Sequence, residues 1–150
     1  MNELTSTILL VDDNEDDLYA LRRALKKAGI ANPQQVVTDG QQAIDYLAGA
    51  GRFADRGQFP LPFLVFLDLK MPFRGGFEVL GWIREQPALA SMVVIVLTGS
   101  DETKVHQRAY ALGARSYLVK PPQPADLRSI IESMESFWNR PGESCPVVLT

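Results

Sequence analysis

The sequence predicts an α/β fold, a doubly wound five-stranded parallel sheet, on three observations. Short apolar runs alternate with helical stripes five times along the chain. Two of the runs, Phe63 to Leu67 and Met92 to Leu97, are unbroken, as in strands buried on both faces. The runs also end in polar groups: Asp12-Asp13 after the first, Asp68 after the third, Thr98 after the fourth and Lys120 after the fifth. Five strand–helix units in series imply right-handed crossovers and helices on both faces. The common order for an open sheet of this kind is 2-1-3-4-5, with the ligand crevice at the carboxyl ends of the strands.

The elements follow in order. Ile8-Leu9-Leu10-Val11 is the first strand. The period then changes to a helix whose inner stripe is Leu18, Leu21, Leu25 and Ala28. Asn14 suits its N-cap, Glu15, Asp16 and Asp17 its positive end, and Gly29 its stop. Gln35 to Thr38 reads as a second, weaker strand, and Asp39-Gly40 opens a helix carrying Ala43, Ile44 and Leu47. A long connection, Gly49 to Pro62, precedes the Phe63 strand. It joins a helix to a strand, so it belongs at the end of the sheet opposite the crevice, with Phe53 and Phe59 covering the core. After the Met71–Gly76 loop comes a helix with Phe77, Leu80 and Ile83 facing inward. Asp101 opens a fourth helix containing Val105, Ala109 and Leu112, closed by Gly113. Ser116 to Val119 is the fifth strand, and the last helix runs from about Pro124 to Trp138.

Composition narrows the function classes. One hundred and fifty residues suit a single domain, and 46% hydrophobic with 22% charged residues is ordinary for a globular protein. A net charge of -3 argues against a sequence-independent grip on nucleic acid. No apolar stretch approaches membrane-spanning length, and Met1-Asn2-Glu3 lacks a signal peptide's basic start, so no membrane role is expected. The lone Cys145 fits a reducing cytoplasm. With one histidine and one cysteine, a His/Cys zinc site is excluded. His106, among Glu102, Lys104 and Arg108, is expected to be a solvated surface residue.

The crevice residues carry the chemistry. Asp12, Asp13 and Asp68 converge there, and like charges this close raise at least one pKa unless a cation intervenes. An oxygen-rich site with few ligands suits Mg²⁺. Shielded by such a cation, Asp68 can attack phosphorus, with Lys120 and the Thr98 hydroxyl each bonding a phosphoryl oxygen.

Val11-Asp12-Asp13-Asn14, Leu67 to Pro72 with Gly76, Leu97-Thr98-Gly99 and Tyr117 to Pro121 together resemble the motif set of a response-regulator receiver domain, over about residues 6 to 138. The resemblance implies a flavodoxin-like fold for residues 1–140; residues 141–150, with Pro141, Gly142 and Pro146, read as a poorly ordered tail. It implies Asp68 as phosphoacceptor from a histidine kinase or phosphotransfer protein. It implies Asp12, Asp13, Asp68 and the Lys70 backbone carbonyl as the Mg²⁺ shell, and Tyr117 as an aromatic switch coupled to Thr98. With no output domain following, the chain resembles a stand-alone regulator. The long loop before Phe63 is similar to that of regulators partnering bacterial phytochromes. Lys70 and Ser100 stand at positions that vary in the family and govern water's access to the phosphoryl group.

Several alternatives stay open. Ile130 and Phe137 widen the stripe of Leu127, Ile131, Met134 and Trp138, which suits either a homodimer through the fourth and fifth helices or a cap on the core. Asp12, Asp13 and Asp68 could cap helices as surface acids, though that leaves Thr98 and Lys120 unexplained. Rival functions are a phosphorylation-independent adaptor, an aspartyl-nucleophile phosphatase and a flavin-binding electron carrier. The phosphatase would need an acid where Lys70 stands, and the flavin carrier a phosphate cradle where Asp12 to Asp17 would repel phosphate. The chain is therefore expected to be a phosphorylation-controlled binding module and not a turnover enzyme.

Overall fold

Alternation of side chains along the strands divides the interior into two layers, one on each side of the sheet. A computed structural model of the chain describes residues 5–71, 73–99 and 102–138, the side chains of 134–138 excepted. The strands are β1 (Ile8–Val11), β2 (Gln34–Val37), β3 (Leu64–Asp68), β4 (Val93–Thr98) and β5 (Ser116–Val119). The helices are α1 (Glu15–Lys27), α2 (Gly40–Ala48), α3 (Gly76–Arg84), α4 (Thr103–Ala111) and α5 (Pro124–Trp138). All pairings are parallel and the order is β2-β1-β3-β4-β5, as the sequence predicts.

Leu9, Val11, Val65, Leu67, Val94 and Val96 face one layer, where Ala43, Ile44, Val79, Leu80 and Ala109 of α2, α3 and α4 cover them. Ile8, Leu10, Leu64, Phe66, Ile95 and Leu97 face the other, under Leu21 and Leu25 of α1 and Leu127 and Ile131 of α5. The period of two in the strands thus meets the 3.6-residue period of the helices on both faces. Local chemistry starts the first two helices where the sequence places them. Asn14 Oδ1 accepts the Asp17 amide at 2.9 Å, and Asp39 Oδ1 accepts that of Gln42 at 2.7 Å.

The α2–β3 connection is a packed unit at the amino end of the sheet. Phe53 is buried, and the rings of Tyr46, Phe53 and Phe59 meet with centroids 5.1 to 5.9 Å apart. Arg56 Nη1 donates to the carbonyls of Tyr46 (2.7 Å) and Phe59 (3.2 Å), and Nη2 to that of Leu47 (2.9 Å). The guanidinium thereby adds a donor at the end of α2, where the Tyr46 carbonyl also accepts the Gly49 amide at 3.1 Å. The phenylalanines cover the core, as expected.

Two expectations change. His106 is not a solvated residue: it is 8% exposed, and its ring stacks on Tyr117 with centroids 3.5 Å apart and planes 18° from parallel. It stands three residues before the buried Ala109 and so shares that inner face, whereas Val105 is only half-buried. Ile130 is also buried in the α1–α5 layer, so it adds to the core and not to an exposed stripe. The side chains of Met134, Phe137 and Trp138, and the 141–150 tail, lie outside the described residues.

Candidate functional site

Strand register brings the polar ends together. Val11 is level with Leu67, Asp68 with Leu97, and Thr98 with Val119, so Asp12, Asp68, Thr98 and Lys120 emerge along one edge. Asp12, Asp68 and Thr98 are buried, and Asp13 is exposed at the mouth. Carboxylate oxygens of Asp12, Asp13 and Asp68 all lie within 4.8 Å of one another.

Lys120 stands beside them. Its Nζ is 3.1 Å from Asp12 Oδ2, 3.3 Å from Asp68 Oδ1 and 2.8 Å from Asp17 Oδ2. Its backbone amide donates to the Thr98 carbonyl at 2.8 Å, extending the β4–β5 pairing to the residue that carries the ammonium. Backbone amides also reach these carboxylates, on the second oxygen of Asp12 and on the same Oδ1 of Asp68 that faces Lys120. Asp12 Oδ1 accepts the Asn14 amide at 3.0 Å, and Asp68 Oδ1 the Lys70 amide at 3.3 Å.

The loop after Asp68 closes tightly over α2 and α3. Phe73 and Arg74 both take left-handed backbone, with φ of 49° and 80°, and the Phe73 carbonyl accepts the Gln41 amide at 2.9 Å. Two glycines make room for this. A Cβ on Gly40 would stand 2.0 Å from the Arg74 carbonyl oxygen, and one on Gly76 2.6 Å from that of Asp68. No side chain larger than hydrogen fits at either position without moving backbone.

Electrostatics sets the site apart. The Asp68 carboxyl is raised to about 6, first by burial and then by the neighbouring Asp12 charge, which together outweigh the downward pull of Lys120 and the Lys70 amide. Burial on its own would lower Lys120. The bond from Asp17, the charge of Asp68 and the contacts with Asp12 outweigh it, so the ammonium is held charged well above its usual range. The group is a cluster of acids with one cation on the inner side and an opening at Asp13. These residues fit a hard divalent cation: carboxylate oxygens converge, and the exposed Asp13 leaves space for water ligands.

Of the residues singled out from the sequence, Asp12, Asp13, Asp68 and Lys120 come together here, and Thr98 ends the adjoining strand. The Lys70 amide belongs to the site, while its side chain is exposed. Tyr117 lies apart from the carboxylates, on β5 level with Val96, between the His106 ring and the edge of Tyr110 at 5.9 Å. Asp17 is the member that sequence reasoning assigned only to the helix dipole. Its signal was positional: a helix that starts at the crevice directs its first turn at whatever ends the other strands.

A family model for the response regulator receiver domain matches residues 8–132. Response regulator Rcp1 of Synechocystis is 34% identical over 131 residues, 87% of each chain. The probable methanogenesis regulatory protein FilR2 of Methanothrix harundinacea is 36% identical over 131 residues, 87% of this chain and 82% of the relative. Among solved structures, a response regulator in red light signaling of R. palustris is 36% identical with a TM-score of 0.76, covering 96% of this chain and 99% of that one. A Mn²⁺-bound form of Rcp1 is 33% identical with a TM-score of 0.69, covering 88% and 93%. A phosphorylated cyanobacterial phytochrome response regulator, RcpA, is 30% identical with a TM-score of 0.73, covering 93% and 98%. The acidic crevice, the 2-1-3-4-5 sheet and a family match over most of the chain lead to one conclusion: the chain belongs to the response regulator receiver family of two-component signalling.

Proposed function

We propose that Asp68 accepts a phosphoryl group from a phosphohistidine of a histidine kinase or phosphotransfer protein. The observation that carries this is the packing of Asp12, Asp13 and Asp68 within 4.8 Å, with the Lys120 ammonium 3.3 Å from Asp68. Asp12, Asp13, Asp68 and the Lys70 carbonyl would hold Mg²⁺, which when bound would supply the positive charge that a carboxylate needs to approach phosphoryl oxygens. The Mn²⁺-bound form of Rcp1 supports a divalent ion in such a site.

The chain's own groups do the rest. Asp68 is directed by the Lys70 amide on Oδ1, and its buried setting excludes bulk water from the attacking carboxylate. As the oxygen–phosphorus bond forms and the donor's bond to phosphorus breaks, Lys120 transfers one hydrogen bond from Asp68 to a phosphoryl oxygen. The Thr98 hydroxyl takes another. Tyr117 follows Thr98, and the surface of α4, β5 and α5 changes for a partner or for a second copy of the chain. A groove of about 500 Å³ lined by Tyr110, Tyr117, Val119 and Ile130 lies on that surface and suits this output.

The relatives support the partner class. The phytochrome response regulator RcpA and the red-light regulator of R. palustris support a phytochrome-type histidine kinase as donor, while FilR2 bears a different signalling name. The protein acts in the cytoplasm, as a binding module and not as a turnover enzyme. Lys70 at the position two after Asp68 leaves a phosphatase without its general acid. Incubation with Mg²⁺ and acetyl phosphate should add one phosphoryl group to the native mass, and Asp68→Asn should abolish the gain. An unmodified wild-type mass would make the chain a phosphorylation-independent adaptor.

A further inference from the structure

The Lys120 ammonium has one partner to which the phosphoryl chemistry above gives no task. Asp17 Oδ2 is its nearest carboxylate, at 2.8 Å against 3.1 Å for Asp12 and 3.3 Å for Asp68. Helix-dipole stabilisation does not explain this choice. Glu15 and Asp16 share the first turn of α1 and are exposed, whereas Asp17 is half-buried against Lys120. Asp17 is also fixed from behind, because its amide donates to the Asn14 cap at 2.9 Å.

Packing on that flank does not hold the lysine. Asp17 and Lys120 line a cavity of about 190 Å³ with Ala20, Leu97, Pro121 and Pro122. An ammonium beside open space is placed by charge. It has three donors, and three carboxylates take them. The two anchors away from Asp68 therefore decide how closely the cation covers the attacking oxygen.

We propose that Asp17 is a positioning residue: it draws the Lys120 ammonium toward α1, so that Asp68 stays open to attack phosphorus while Lys120 waits for the phosphoryl oxygen. The proposal rests on Asp68 being the phosphoacceptor. In transfer from acetyl phosphate, an Asp68 oxygen forms the new bond to phosphorus. The bond between phosphorus and the bridging oxygen breaks, and its electron pair leaves with acetate. Lys120 keeps all its protons. Asp12 and Asp17 retain two of its hydrogen bonds, and the third passes from Asp68 to a phosphoryl oxygen. Without Asp17, the ammonium closes onto Asp12 and Asp68 and masks the nucleophile.

The test uses the full chain with Mg²⁺ and acetyl phosphate, followed by intact mass over time, for wild type, Asp17→Asn, Asp17→Glu and Asp16→Asn. Asp17→Asn should slow phosphorylation roughly tenfold. Asp17→Glu, with the charge restored on a longer arm, should recover most of the rate. Asp16→Asn changes net charge and helix-end charge equally and should leave the rate unchanged. In ¹⁵N-lysine-labelled protein, the Lys120 Nζ resonance, assigned by its loss in Lys120→Arg, should shift in Asp17→Asn and not in Asp16→Asn. A wild-type rate in Asp17→Asn, equal slowing by Asp16→Asn, or an Nζ resonance indifferent to Asp17 each overturns the proposal. A wild-type chain that gains no mass overturns the Asp68 reading and this one with it. A wild type that reacts beside an equally fast Asp17→Asn overturns this one alone.

Discussion

Each end of the sheet holds a half-buried cation, and the two do opposite things. At the amino end, the Arg56 guanidinium donates to the carbonyls of Tyr46, Leu47 and Phe59, beside the rings of Tyr46, Phe53 and Phe59. Every contact there is neutral or dipolar on the acceptor side, and the result is a closed loop. At the carboxyl end, Lys120 faces Asp12, Asp17 and Asp68, with Asp13 close by. One positive charge opposes an excess of negative ones, so charge remains to be neutralised by something from outside. The first arrangement stabilises the fold. The second holds a carboxylate in a state that costs stability until a ligand arrives, which is how a site differs from a staple.

The largest effect on the fold is expected at the amino end. Arg56→Ala removes three hydrogen bonds from a charged donor and leaves the carbonyls of Tyr46 and Leu47 at the end of α2 without those bonds. The loss should be about 2–3 kcal/mol, measured by urea denaturation at fixed pH. Phosphorylation by acetyl phosphate should keep its wild-type rate. If the rate fell and the urea midpoint stayed put, the two ends would not be separable in this way.

Much of this contrast was legible in the sequence, and the reasons differ by residue. Asp12, Asp68, Thr98 and Lys120 could be placed because strand ends in a doubly wound sheet share one edge, whatever their separation along the chain. Asn14 could be placed as a cap, and Asp39-Gly40 as the start of a helix, because helix starts are set locally. Arg56 was legible only as part of a surface loop, since its carbonyl partners sit ten and nine residues back, at the end of a helix. His106 misled because its ring partner, Tyr117, belongs to another element, and the charges around it on its own helix do not show that contact. Asp17 satisfied a local rule so well that its distant partner, 103 positions on, left no trace in the pattern.

A second expectation concerns pH at the carboxyl end. The Asp68 carboxyl is raised to about 6 in the folded chain from an ordinary value of 3.8. A raised folded pKa means that the native state binds the proton more tightly than the unfolded one. Its stabilising contribution is complete below about 4 and is lost as pH rises through about 6. In metal-free buffer, Asp68→Asn should therefore gain on wild type by about 1–2 kcal/mol between pH 4 and pH 7, allowing for screening at the crevice mouth. Mg²⁺ at pH 7 should return stability to the wild type and do little for Asp68→Asn, because only the intact set of acids binds it well. Denaturation curves at several pH values, with EDTA and with Mg²⁺, read both effects. A difference between the two proteins that is flat with pH would mean that Lys120 already neutralises Asp68.

The smallest effect is expected at Lys70, where the site meets solvent. Its amide holds Asp68 Oδ1 at 3.3 Å, and its side chain is exposed two residues beyond the phosphoacceptor. Lys120 cannot guard the phosphoryl group from this side, because Asp12 and Asp17 hold its ammonium on the inner flank. A second cation at the mouth can pair with a phosphoryl oxygen and occupy the path of an attacking water, which would slow hydrolysis without altering transfer. Removing one solvent-exposed ion pair changes a barrier by about 1 kcal/mol or less, so Lys70→Ala should speed phosphate loss only a few-fold. The decay of the phosphorylated mass after removal of acetyl phosphate measures it. The effect should shrink as salt is raised, since an exposed charge pair is screened while the inner Lys120 cluster is not. Unchanged or slower decay in Lys70→Ala would place control of the phosphoryl lifetime on the buried side of the crevice.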